Sequence, residues 1–260
     1  MLFTLFISMF IIILFFLFMN LDSVLFVNHL LSENLSNNSI SVIILSYKRP
    51  HNLKHSLSYL INVDFITEIN VYHGSEKYFD DSFQHKKINH VHDYENNEKI
   101  FTLRRFLHAA SRKTPYTLLL DDDIIPRVSL LYTMLKKCSE NKDACVGPIG
   151  RYCGKMGYKY PKKKNVVLTP ILLAHTHVFR QVWEKMKENQ ILMNKIIQQK
   201  GNCEDLFFQH EYKKFYQKNP LIIKGSYRML DTSKGFSTTN ALSHYMTRNN
   251  FCKSISTIQS

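Results

Sequence analysis

The stretch that decides the reading is Tyr116-Thr117-Leu118-Leu119-Leu120-Asp121-Asp122-Asp123-Ile124-Ile125-Pro126. Its first five residues are apolar or β-branched and too few for a helix, so they read as a buried strand. Three carboxylates then follow without a break. At the end of a buried strand they repel one another, and something must compensate them. A divalent cation does so best, because hard oxygen donors suit magnesium or manganese. The bland rival is a solvated acidic turn. In an open α/β sheet the ligand site lies beyond the carboxyl ends of the strands, which is where this triplet falls.

Working outward, Ser41-Val-Ile-Ile-Leu-Ser46 is a second short apolar run and a second buried strand. It breaks at Tyr47-Lys-Arg-Pro50, where Pro50 suits the first turn of a helix. Leu53, Leu57 and Leu60 then recur on one helical face. Ile69–Tyr72 reads as the next strand, and Phe101–Ala110 has helical spacing around Arg104 and Arg105. Further helices are expected at 128–137 and 178–198, with an apolar run at 166–174 between them and a last helix from Cys203. Strands alternating with helices predict a mostly parallel sheet covered on both faces. Neither an internal repeat nor a domain linker interrupts the pattern.

Charge divides the chain in two. Of 260 residues, the first 40 carry no Lys or Arg and only Asp22 and Glu33 as acids. All 34 bases therefore lie in the remainder, against 19 acids, so that the last 220 residues carry a net charge of +15. With 45% apolar residues, a disordered or collagenous chain is excluded, and the basic excess points to an anionic partner. Leu2–Met19 is an uncharged run of Phe, Ile and Leu. It favours an uncleaved membrane anchor, with a cleaved signal and a buried helix as the other readings. Residues 20–40 read as a polar stem with acceptor patterns for N-glycosylation at Asn34 and Asn37, and 41–260 as the folded domain.

Other chemistry is poorly supported. Neither a P-loop, a nucleophile elbow nor a G-x-G-x-x-G fingerprint is present, and the five cysteines form no C-x-x-C. His90-x-His92 and His175-x-His177 have the spacing of residues that share one strand face, a structural arrangement before it is a zinc site. Lys162–Lys164 reads as a solvated loop, compatible with an anionic acceptor.

Four motifs occur in order: Ser46-Tyr-Lys-Arg-Pro50, Leu118-Leu-Leu-Asp-Asp-Asp123, Gly201-Asn-Cys-Glu-Asp205, and His244-x-x-x-Arg248 with Cys252. Together they resemble the exostosin-type glycosyltransferases, specifically the α-N-acetylglucosaminyltransferase domain of heparan-synthesising enzymes, over residues 41–252. The resemblance implies the glycosyltransferase A fold, an α/β architecture with a single Rossmann-like mixed sheet and helices on both faces, behind an N-terminal membrane anchor. It implies a UDP-sugar donor, an N-acetylhexosamine among the candidates, and manganese or magnesium as cofactor. It further implies transfer with retention to a glycan or glycoprotein acceptor, in a type II membrane protein facing the lumen of the endoplasmic reticulum or Golgi. The partners are then the nucleotide sugar, the acceptor and the membrane through residues 2–19, with no nucleic acid and with a homo-oligomer left open.

Residue by residue, the resemblance sets Arg49, with Tyr47 beside it, against the uracil and ribose, and brings Arg104 to the nucleotide. Asp121 and Asp122 meet ribose and metal, and Asp123 holds the cation, so the metal ligands are Asp121 and Asp123. Asp205 is the essential acid near the anomeric carbon, with Arg248 and His244 clamping the diphosphate. Cys203 and Cys252 match the family's disulfide pair, although four positions separate Arg248 from Cys252, one more than the family pattern. Without the resemblance, Asp205 reads as a helix-favouring acid three positions after an Asn202 N-cap.

Three rival functions follow from the same residues. An inverting transferase would use Asp205 or Glu204 as general base. A phosphohydrolase of the haloacid dehalogenase kind would use the first Asp of a D-x-D as nucleophile, but there the motif ends the first strand, and here two strands precede it. A polyanion-binding module would leave Asp121–Asp123 unexplained.

Overall fold

Four parallel strands carry the site: β1 (Ile40–Ser46), β2 (Ile66–His73), β3 (Ile88–His92) and β4 (Tyr116–Asp121), lying side by side in the order β3-β2-β1-β4. β1 and β4 are the two apolar runs read from the sequence. Their side chains are buried on both faces, which is why neither run alternates with polar residues. The register fixes where they stop. Leu45 is level with Asp121 and Ser46 with His73, so three strands end together and the loops after them converge.

The computed structural model describes residues 38–160, 163–231 and 241–257. Ile40–Ser260 is one compact unit. The expected anchor at 1–19 and nearly all of the stem lie outside the described residues, as does Lys162. Among the described residues no helix is long and apolar enough to cross a membrane.

After β1, Pro50 occupies the first turn of α1 (Pro50–Leu60), which buries Leu53, Leu57 and Leu60 as the spacing predicts. α2 (Tyr94–Ile100) and α3 (Arg104–Ala110) precede β4. Beyond β4 the chain enters β5 (Ile124–Pro126) and α4 (Val128–Glu140), then β6 (Cys145–Gly147), β7 (Gly150–Gly154) and β8 (Gly157–Lys159). The apolar run at 166–174 divides into β9 (Val166–Val167) and β10 (Ile171–His175). β10 lies antiparallel between β4 and β6, so the sheet is mixed: apolar content announces a buried strand but not its direction.

The helix expected at 178–198 is two, α5 (Thr176–Glu188) and α6 (Gln190–Gln198). Asn189 separates them, its side chain accepting from Leu192 N, a capping bond that restarts the helix. α7 (Glu204–Tyr216) buries every residue from Glu204 to Tyr212, and Phe208 stacks on Phe106 of α3 at 4.6 Å. β11 (Leu221–Ile222) adds to β6 and completes seven strands in the order β3-β2-β1-β4-β10-β6-β11. β12 (Tyr227–Met229) pairs with β5, and the last element is α8 (Ala241–Thr257). Two small sheets, β12-β5 and β8-β7-β9, thus accompany the single sheet that was expected.

The cysteines differ from expectation. Cys252 is bridged to Cys153 of β7, with Cα atoms 5.1 Å apart, and Cys203 is a buried free thiol. The cause is packing: α8 lies on the β7–β8 hairpin and its Cys252 faces that hairpin, whereas Cys203 occupies a left-handed position ahead of α7 with Sγ towards Asn202.

Candidate functional site

Arg49 is the residue before α1, and its placement follows from Pro50, which starts the helix directly after the β1 loop. Its guanidinium spans two of the three triplet carboxylates. Nη2 donates to Asp122 Oδ1 at 2.5 Å and Nη1 to Asp123 Oδ2. Tyr47, in the same loop, is exposed and meets Tyr78 edge-on. Asp121 is half-buried and accepts from Arg105 Nη1 at 3.1 Å. One cation shared by Asp122 and Asp123 leaves the cluster short of compensation. Burial, with repulsion from Asp121 and Asp123, pushes Asp122 up to about 7 against the pull of Arg49. Asp123 is also raised, by burial and by Asp121.

The second cluster opens α7. Asp205 is buried, and both its oxygens accept from Arg248 Nη2 of α8, at 2.7 and 2.6 Å. Burial works against the charge on Arg248, and Asp205 outweighs it, so the guanidinium is held protonated above its ordinary range. Tyr158 of β8 lies beneath that guanidinium, 4.7 Å from ring centroid to Cζ. Its phenol is pushed up to about 12, chiefly by burial. His244, one turn before Arg248, is half-buried and held below the ordinary histidine range by burial and by Arg248. Glu204 is raised by burial and by Asp205, and accepts from Thr169 Oγ1 at 3.3 Å.

The capping role that the sequence offers Asn202 is not realised. Cys203 stands at the N-cap, without a side-chain cap, and Asp205 turns back on Leu206 N at 2.8 Å. Gly201, at φ +83°, allows the approach: a Cβ there would come within 2.2 Å of Thr102 Oγ1, which donates to Gly201 O.

Arg105 joins the two clusters. Besides Asp121 it reaches Glu204, its Nε 3.8 Å from Oε1. Its neighbour Arg104 takes a different course, donating to Asp93 at 2.7 Å and to Tyr72 O at 3.3 Å, beside Gly74 at the end of β2. His108 meets the same Asp93 carboxylate at 2.6 Å and stacks on Tyr72 at 3.6 Å. Burial opposes the Asp93 charge, but hydrogen bonds from His108, Arg104 and Asn96 outweigh it and hold the carboxyl low. Helical spacing across 101–110 cannot separate adjacent arginines, so the sequence reading missed Arg105 and Asp93.

Among the described residues no group of three or more His, Cys, Asp or Glu converges as a metal cage. His90 and His92 both lie on β3 but part ways, His90 Nδ1 to His73 Nε2 at 2.9 Å and His92 Nδ1 to Tyr94 Oη at 2.9 Å. His175 ends β10 while His177 lies in α5.

A mixed seven-stranded sheet with helices on both faces, its loops gathering acids and arginines at the strand ends, is a glycosyltransferase-A-like architecture. Residues 40–260 match the model of the glycosyl transferase family 64 domain, and the chain belongs to that exostosin-like family. Membership brings a glycosyltransferase-type activity, with a nucleotide-sugar donor and a glycan acceptor. Among solved structures, 2-C-methyl-D-erythritol 4-phosphate cytidylyltransferase from Francisella tularensis is similar at a TM-score of 0.52 and 13% identity, over 79% of this chain and 99% of that one. That likeness is one of fold alone. A search among curated proteins returned no match.

Proposed function

We propose that the chain is a manganese-dependent glycosyltransferase that moves a sugar from a UDP-sugar to a glycan or glycoprotein acceptor with retention. It works as a type II membrane protein of the endoplasmic reticulum or Golgi, anchored through residues 2–19. The observation that carries this reading is the pairing of two carboxylate clusters through Arg105: in the first, Arg49 is shared by Asp122 and Asp123, and in the second, Arg248 holds both oxygens of Asp205.

The triplet fits a divalent cation. Its donors are hard oxygens, and one guanidinium, Arg49, serves both Asp122 and Asp123. Magnesium and manganese need only one or two carboxylates when phosphates supply further ligands. Asp121 and Asp123 would hold the ion, which when bound supplies positive charge to the diphosphate as the sugar–phosphate bond breaks. Arg49 would then turn from the carboxylates to the uracil and ribose, with Tyr47 and Asp122 beside it, and Arg104 would support the nucleotide side from α3, where it is buried on Asp93 and Tyr72 O. His244 and Arg248 face the diphosphate. Asp205, hydrogen-bonded on both oxygens by Arg248, stabilises positive charge at the anomeric carbon and orients the acceptor hydroxyl. In a retaining reaction the departing phosphate oxygen takes the acceptor proton on the same face, so no side-chain base is required.

A second reading, inversion with Glu204 as general base, draws on one observation: the Glu204 carboxyl is raised, as a base working near neutral pH requires. The anomeric configuration of the product, read by NMR, separates the two. The donor reading is tested by incubating the protein with a panel of UDP-sugars and following UDP release. One sugar should be consumed only when manganese is present; metal-independent release, or none from any sugar, overturns it.

A further inference from the structure

Ten large apolar side chains stand exposed among the described residues, and four of them lie on two touching elements. Met156 (60% exposed) and Tyr160 (66%) belong to the β7–β8 hairpin and its exit, Leu242 (76%) and Met246 (48%) to the start of α8. The hairpin is fixed to the helix by the Cys153–Cys252 bridge, by Tyr245 Oη donating to Tyr158 O at 2.8 Å, and by Tyr158 N donating to Asn249 Oδ1 at 3.2 Å. At Gly157, φ +83°, a Cβ would lie 1.9 Å from Asn249 Oδ1, so the turn bearing Met156 is pressed against α8. Leu242, Met246, Asn249 and Lys253 recur at i, i+4, i+7 and i+11 along one side of the helix, and of these Asn249 and Lys253 reach the hairpin turn at Gly157. The apolar tips therefore lie along one edge.

The charge of that edge is of one sign. Lys155 and Lys253 are exposed beside Met156, and the Arg151 guanidinium stacks on Tyr160 at 4.2 Å. No Asp or Glu occurs between Asp143 and Glu184, nor anywhere after Asp231, so neither element carries a carboxylate. Flexible aliphatic tips, one tyrosine and a rim of bases form the composition of a surface that dips into a lipid interface and holds anionic headgroups. A glycan partner would use the tyrosine and the bases but leaves Met156, Leu242 and Met246 without a role.

We infer that the edge formed by the β7–β8 hairpin and α8 docks on an anionic lipid surface, beside Arg248 and Asp205. The inference does not rest on the donor or the metal; its test uses the apolar run at 2–19, the anchor of the proposed function, to tether the chain.

The test uses the full chain carrying Met156→Cys labelled with a polarity-sensitive fluorophore. The unbridged cysteines, Cys138, Cys145 and Cys203, are buried and stay unlabelled. The protein is reconstituted, domain outward, in phosphatidylcholine vesicles with or without phosphatidylserine; the apolar run inserts in both, so the difference reports the edge. A blue shift specific to phosphatidylserine and reversed by salt is expected. Lys155→Gln with Lys253→Gln should lower the docking equilibrium constant about 25-fold, about fivefold for each lysine. Leu242→Ser with Met246→Ser should reduce the shift with no change in far-UV circular dichroism. Equal emission in the two lipids overturns the inference. So does the same shift produced by a soluble sulfated oligosaccharide without vesicles, which would assign the edge to a glycan.

Discussion

The carboxylates that follow β4 and the Asp205 carboxylate near the start of α7 lie at the same end of the sheet, but they are partnered differently. Asp205 has a guanidinium on both oxygens, and Arg248 lies on Tyr158. Asp122 and Asp123 divide Arg49 between them, and their carboxyls are raised. A buried charge with a complete partner is a finished piece of structure; buried charges with half a partner are waiting for another cation. The difference assigns Asp205 to a fixed field and the triplet to a variable one.

The largest effect expected from this contrast is on stability. Arg248→Ala strands Asp205 without its partner and should cost about 3–5 kcal/mol in urea unfolding. Arg49→Ala should cost about 1 kcal/mol or less, since Arg49 is partly exposed and raised carboxyls can take up protons instead. Equal losses would erase the distinction. Next comes the bridge that holds α8. Cys153 and Cys252 are 99 residues apart, and replacing both by Ser should cost about 2–5 kcal/mol, read as a lowered thermal midpoint. Transfer activity should fall with it, because Arg248 is placed by the same helix.

Ligand effects should fall on the triplet alone. Manganese with UDP at about 100 times its Kd should stabilise the native protein by about 2.7 kcal/mol, and Asp123→Ala should remove that gain. A separate, pH-dependent effect concerns His73 at the end of β2, which burial, His90 and His92 hold down to about 4. Its unfolded form binds a proton below about 6.5, so its contribution to stability is lost as the pH falls from about 6.5 towards 4. His73→Gln should flatten that part of the pH profile, read as a smaller loss of unfolding free energy between about pH 6.5 and 4.

Much of the first cluster could be read from local pattern. Apolar runs mark β1 and β4, Pro50 marks the start of α1, and strand ends mark the ligand side. The second cluster is tertiary. Cys153 is 99 residues from Cys252, and nothing in the spacing of five cysteines selects that pair over Cys203. The β7–β8 hairpin was missed because three to five residues with glycines at both ends give too short a period to detect. Arg105 was missed because Arg104 beside it has the same composition and a face set only by packing, against Asp93 in one case and Asp121 in the other.

The division between a waiting triplet and a finished pair is tested most directly by calorimetric titration of UDP in manganese, on Asp123→Ala and Asp205→Asn side by side with the native protein. Asp205→Asn should bind UDP as the native protein does while transferring no sugar, and Asp123→Ala should show no manganese-dependent heat. Undiminished binding by Asp123→Ala, or loss of binding by both variants alike, would contradict it.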